Sequence, residues 1–208
     1  MNEQYPLFVQ AARVAAHLHF AADIAKSLSL TAKNARAISA RAGQKALGFR
    51  AITDFIEELA AMTMNHANQV NIIAIDISKM AANENRQGSA LKKFNQVIER
   101  GDENSYVASI IPFRNKTLML LEQNDKAFKD KLSLLHQKLE ETQKQIRSAK
   151  IISSTSKIEA TFAYECQTSL ENIARSIENS ADQIQQELKK ASQLLSQVSI
   201  NKRETLSA

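Results

Sequence analysis

The chain has 208 residues with 4 Gly and 2 Pro, where an average globular composition would give roughly 15 and 10. So few turn formers exclude a β-sandwich, a propeller or a doubly wound sheet, each of which needs a turn every ~8–12 residues. A hydrophobic share of 44% excludes a disordered chain, and a single cysteine excludes a disulfide framework and a cysteine-based zinc site, in a chain whose net charge is only +5.

Read from the start, MNEQYPLF lacks the basic region and apolar stretch of a secretory signal, and no apolar run reaches the ~18 residues of a membrane span. A cytoplasmic location without a transmembrane segment is therefore expected. Apolar or small residues recur at Leu7, Ala11, Val14, Leu18, Ala21, Ala25, Leu28, Ala32, Ala35, Ser39 and Ala42. The steps alternate four and three, which predicts a helix with a coiled-coil seam. Gly43 and Gly48 signal a turn. The rhythm resumes at Phe49 and runs through Ile56, Val70 and Ile77, past the polar Glu84 and Gln87, to Phe94 and Ile98. Gly101-Asp102-Glu103-Asn104 predicts the next connection. A third seam starts at Val107, passes Pro112 early and runs through Leu121, Phe128 and Leu139 to Ile146. A fourth is read from Ser153–Ser156 onward, through Ile158, Phe162, Cys166 and Leu170 to Val198.

The expected fold is all-α: one elongated antiparallel four-helix bundle made of two long hairpins with matched arms, because no single stripe can bury itself. Residues 1–100 form the first hairpin, 101–104 the connection, 105–200 a second hairpin turning near 148–155, and 201–208 a frayed tail. The alternative is a chain that dimerises through the same seams. Monomer and homodimer both stay open.

The turn carries the most specific signal. Residues 30–60 read LTAKNARAISARAGQKALGFRAITDFIEELA. The segment keeps Ala32, Asn34 and Ala35 on the ascending arm, the block Ala40-Arg41-Ala42-Gly43 at the turn, Gly48-Phe49 after it, and Leu59-Ala60 at the close. In these residues it resembles the cytoplasmic hairpin tip of bacterial methyl-accepting chemotaxis proteins. Physical reasoning agrees at three points. Gly43 can leave the helix through a left-handed conformation, Arg41 suits a helix C-terminus, and Phe49 can plug the end of the core. The resemblance implies a signalling or docking role. Its partners would be a chemotaxis histidine kinase, its coupling protein or other receptors, and residues 105–200 would stand in for a second protomer. The tip residues it points to are Asn34, Ile38, Arg41, Gln44, Leu47, Phe49 and Phe55, with Gly43 and Gly48 forming the turn.

This chain departs from that family at several tip positions. Ile38 and Gln44 replace glutamates, Ala46 and Leu47 replace a glycine and an arginine, and Lys33 replaces a leucine. Ile38, Leu47 and Phe55 lie off the main seam, where they could form an apolar docking patch or widen the core stripe.

Other chemistry is missing from the sequence. No phosphate loop, nucleophile elbow or paired metal-binding Glu-x-x-His is present, so no enzymatic activity, no cofactor and no metal are expected. His66 and Cys166 fall on seams and are read as core residues. Residues 1–50 hold seven Lys or Arg against two Asp or Glu, the whole net excess. That basic face could meet nucleic acid or an anionic membrane, or simply be solvated. With aromatics at 5% and no Trp, stacking platforms for nucleic acid are scarce, which argues against it as a partner.

Overall fold

The computed structural model describes residues 7–100, 105–163 and 166–205, with the side chains of 7, 8, 45, 105, 106 and 197–205 outside that description. Four helices account for nearly all of it: α1 Leu7–Ala42, α2 Leu47–Arg100, α3 Ser105–Thr161 and α4 Gln167–Thr205. A single 3-10 turn, Gly43–Ala46, joins the first two. There is no strand among the described residues. Each helix packs on two neighbours, α1 on α2, α2 on α3, α3 on α4 and α4 on α1, which makes an antiparallel four-helix bundle. No helix is long and apolar enough to cross a membrane.

Where all four helices run side by side, most of the expected heptad positions build the core. Val14, Leu18, Ala21, Ala25, Leu28 and Ala32 of α1 are fully or almost fully buried against Ile56, Val70 and Ile77 of α2. Leu135, Leu139 and Ile146 of α3 and Ile177, Ile184 and Leu188 of α4 close the other half. Each buried Leu or Ile contributes roughly 1.5–3 kcal/mol of apolar burial, so the larger side chains of α2, α3 and α4 carry most of the stabilisation. The alanines of α1 contribute less area but let its backbone approach its neighbours closely.

Polar contacts fix the order around the ring. Arg36 of α1 pairs with Asp54 and Glu57 of α2, at 3.1 and 3.6 Å. Lys131 of α3 reaches Asp76 of α2 at 2.7 Å. Lys157 of α3 donates to Glu178 of α4 at 2.6 Å. His17 of α1 meets Glu187 of α4 at 2.6 Å.

The second hairpin differs from expectation. It turns between Thr161 and Gln167, not near 148–155: α3 runs unbroken to Thr161 and α4 begins at Gln167. The seam through this stretch is made of small residues, Ala149, Ser153, Ser156 and Ala160, all buried. The two serines tolerate the core because each hydroxyl bonds back to its own helix, Ser153 to the Lys150 carbonyl and Ser156 to the Ile152 carbonyl. Ile158 and Phe162, expected on the seam, are exposed at 60% and 58%.

Two further expectations change with it. The arms are not matched, since α1 and α4 have 36 and 39 residues while α2 and α3 have 54 and 57. The expected frayed tail is helical as far as Thr205, and 206–208 lie outside the described residues. The connection at 101–104 also lies outside them, between helices ending at Arg100 and starting at Ser105. Pro112 stands inside α3, past its first turn, where it removes one backbone hydrogen bond. Helix α2 continues through Gly88.

Candidate functional site

With both turns placed, the Gly43–Ala46 turn and the reversal between Thr161 and Gln167 share one end of the bundle. Their residues pack together in a small core of Ala35, Ala46, Phe49, Ala160, Ala163, Leu170 and Ala174, flanked by Ile38, Ala42 and Cys166. Phe49 is the one large aromatic in it and is fully buried. It plugs the end of the core, so the expectation that it contacts a partner is corrected: it supports the tip from inside.

The reversal itself uses one special residue. Gly43 has φ +64, in the left-handed region that Cβ-bearing residues pay to enter. Ala42 before the turn and Leu47 after it keep right-handed helical angles. Nothing lies within 4 Å of where a Gly43 Cβ would be, so backbone conformation alone requires the glycine. Gly43→Ala is expected to lower stability by about 1–2 kcal/mol, read as a shifted urea midpoint with unchanged helix content.

Gly48 has a different reason. Glu159 of α3 places its carboxylate where a Gly48 Cβ would stand. Helix α2 has no acidic residue in its first turn, and the positive end of its dipole favours a negative charge nearby. Glu159 supplies that charge from the neighbouring helix. The sequence reading did not single out this residue, because nothing in the periodicity marks a carboxylate on one helix as facing a glycine on another.

The remaining tip residues divide by exposure. Asn34, Arg41 and Gln44 are exposed, and Leu47 is 48% exposed. Ile38 and Phe55 are half-buried and packed against the core clusters, so they widen the stripe and do not extend a surface patch. The second turn adds exposed Ile158 and Phe162 to the same end. Lys33, Arg41 and Arg50 are exposed cations there, whereas Arg36 is held by Asp54 and Glu57. The tip therefore presents positive charge and separate apolar side chains on an alanine-packed base.

Away from the tip, the described residues contain no group of three or more His, Cys, Asp or Glu placed to hold a metal ion. His66 is buried in the core, with Nδ1 at 2.8 Å from the Thr142 hydroxyl. Cys166 is half-buried at the second turn. Comparison of the chain with protein-family models, with curated proteins and with solved structures gives no match.

Proposed function

We propose that the chain is a chemoreceptor-like signalling or docking protein that works through protein contacts at the Gly43 tip. In this reading α3 and α4 take, within one chain, the place that a second protomer takes in that family. One observation carries it. The family-like blocks Ala40-Arg41-Ala42-Gly43 and Gly48-Phe49 fall where the chain reverses, and Asn34, Arg41, Gln44 and Leu47 beside them face solvent. The tip acts as a passive contact surface rather than a catalytic one, and the protein works in the cytoplasm with chemotaxis-type kinase and coupling proteins as partners.

Capture by an immobilised chemotaxis histidine kinase and its coupling protein tests this. Arg41→Glu and Asn34→Ala are expected to weaken capture at least tenfold, about 1.4 kcal/mol, with circular dichroism unchanged. Both side chains are exposed, so neither change touches the core. Capture that ignores both substitutions would sink the proposal.

A second reading is a structural or adaptor bundle that keeps the hairpin without kinase coupling. The packing of Ile38 and Phe55 against the core favours it, because two departures from the family then serve the bundle itself. Absence of capture by the wild-type chain is its expected result.

A further inference from the structure

The unequal arms leave part of the molecule with half a bundle. From Ala81 to Ala127, none of the residues whose burial is described is buried. The heptad seam nevertheless continues there. Leu91, Phe94 and Ile98 on α2 and Leu118 and Leu121 on α3 stay half-buried, while Val97, Ile111 and Phe113 are 46%, 42% and 63% exposed. Seam residues are enclosed only when four helices surround them. Along this stretch α2 and α3 have only each other, because the shorter α1 and α4 cover only the tip-side part of the rod.

We propose that this α2–α3 extension is a homodimerisation surface, on which a second copy lays its own extension in the opposite direction. The two extensions would together complete the four-helix bundle that α1 and α4 complete near the tip. The inference does not depend on what the tip binds.

The direction follows from packing. On the tip side, the column that continues this face is already filled by α1 and α4. A second copy can enter the open column only from the far end, with its tip pointing away. The arrangement is two-fold symmetric, and the same surface serves both copies. Each extension has about 20 residues per helix, roughly 30 Å. Two helix widths make the face on the order of 600 Å² in projection, comparable with the ~800 Å² that each partner contributes to a standard specific interface.

Polar residues support the same register. Counted from the α2–α3 connection, Leu91 and Phe94 lie near the middle, so symmetry sets them opposite their counterparts. Glu84 and Gln87 lie at the base of the extension and Arg100 at its apex. Opposed packing puts base against apex, bringing Arg100 of the second copy beside Glu84 and Gln87.

Light scattering on the full chain tests the proposal. The expected mass is twice 23.1 kDa, with a maximum dimension by small-angle scattering of roughly 140 Å against about 85 Å for a single α3-length rod. Leu91→Glu and Phe94→Glu are expected to give the monomer with helix content retained, since neither side chain belongs to the buried core. Orientation is read with spin labels. The native Cys166, the sole cysteine, should show no coupling between copies, whereas Leu91→Cys in a Cys166→Ser background should show strong coupling. Three results would each overturn the proposal: a 23.1 kDa species at every concentration, a dimer that survives Leu91→Glu and Phe94→Glu, and a dimer with coupled Cys166 labels.

Discussion

Phe49→Ala is expected to cost about 3–5 kcal/mol, the range for removing a fully buried aromatic ring, and to loosen the tip before the rest of the bundle. Phe49 is completely buried, and its neighbours in the tip core are mostly alanines. Alanines cannot extend into the space a phenyl ring leaves, so collapse of the cavity would require whole helices to move. Leu170 is the other large buried side chain in the cluster, and by itself it spans too little of the gap. The effect should be local as well as global. Hydrogen exchange should accelerate in residues 35–50 and 160–174, while amides around Leu139 and Ile184 keep their protection until global unfolding. Phe49→Leu should recover part of the loss by refilling volume. A midpoint shift for Phe49→Ala no larger than that of an exposed substitution such as Arg50→Ala would show that Phe49 does not seal this end. Because Asn34 and Arg41 ride on the same packed base, the variant should also weaken any contact made at the tip without altering a surface residue.

The legibility of this molecule tracks side-chain size along the seams. The α1 seam was readable because its small residues keep a strict four–three alternation with Leu18 and Leu28 among them, and the structure buries every seam position from Ala11 to Ala35. The first turn was readable because a left-handed residue is needed there and Gly43 supplies it. The second turn was misread for the complementary reason. Between Ile146 and Leu170 the core side of α3 carries Ala149, Ser153, Ser156 and Ala160, while the large apolar residues Ile151, Ile158 and Phe162 face solvent at 58–71% exposure. Periodicity arguments weigh large apolar residues, so the pattern pointed to the wrong face and the serines looked like a connection. Hydroxyls bonded to the preceding turn leave no mark in sequence that separates them from serines in a loop. The expectation of matched arms followed in part from that error, since a turn near 150 shortens α3 and lengthens α4. At the tip, composition could not separate the exposed Leu47 from the half-buried Ile38 and Phe55, because all three lie off the main seam. Only packing against the neighbouring helices decides which of them faces water.

The buried His66 should make the bundle less stable as the solution becomes mildly acidic. Thr142 donates its hydroxyl hydrogen to the Lys138 carbonyl at 2.7 Å, so its oxygen must accept from His66 Nδ1 at 2.8 Å. That arrangement assigns the neutral imidazole its proton on Nδ1 and leaves Nε2 facing Glu141 at 3.6 Å. Burial holds the His66 pKa below its ordinary value, and the nearby Lys138 ammonium adds to this, against a smaller opposing pull from Glu141. A histidine whose folded-state pKa is depressed is protonated more readily in the unfolded chain. Stability from this group is therefore complete above the ordinary value of about 6.5. It declines as pH falls below that value toward the folded pKa, because the unfolded state then binds the extra proton. The lowered pKa values of Asp76 and Glu141, set first by their hydrogen bonds to Lys131 and Lys138, act in the same direction in a lower window, beneath the ordinary carboxylate range. The two windows separate on a plot of urea midpoint against pH. His66→Gln is expected to flatten the slope between pH 7.5 and 5.5 and leave the acid limb in place. Thr142→Val removes the acceptor of a buried N–H and is expected to cost about 1–3 kcal/mol at neutral pH, more than His66→Gln, whose amide can still donate. Parallel midpoint curves for the wild-type chain and His66→Gln across that range would show that His66 titrates alike in the folded and unfolded states, and that its position on the seam carries no linkage to the proton.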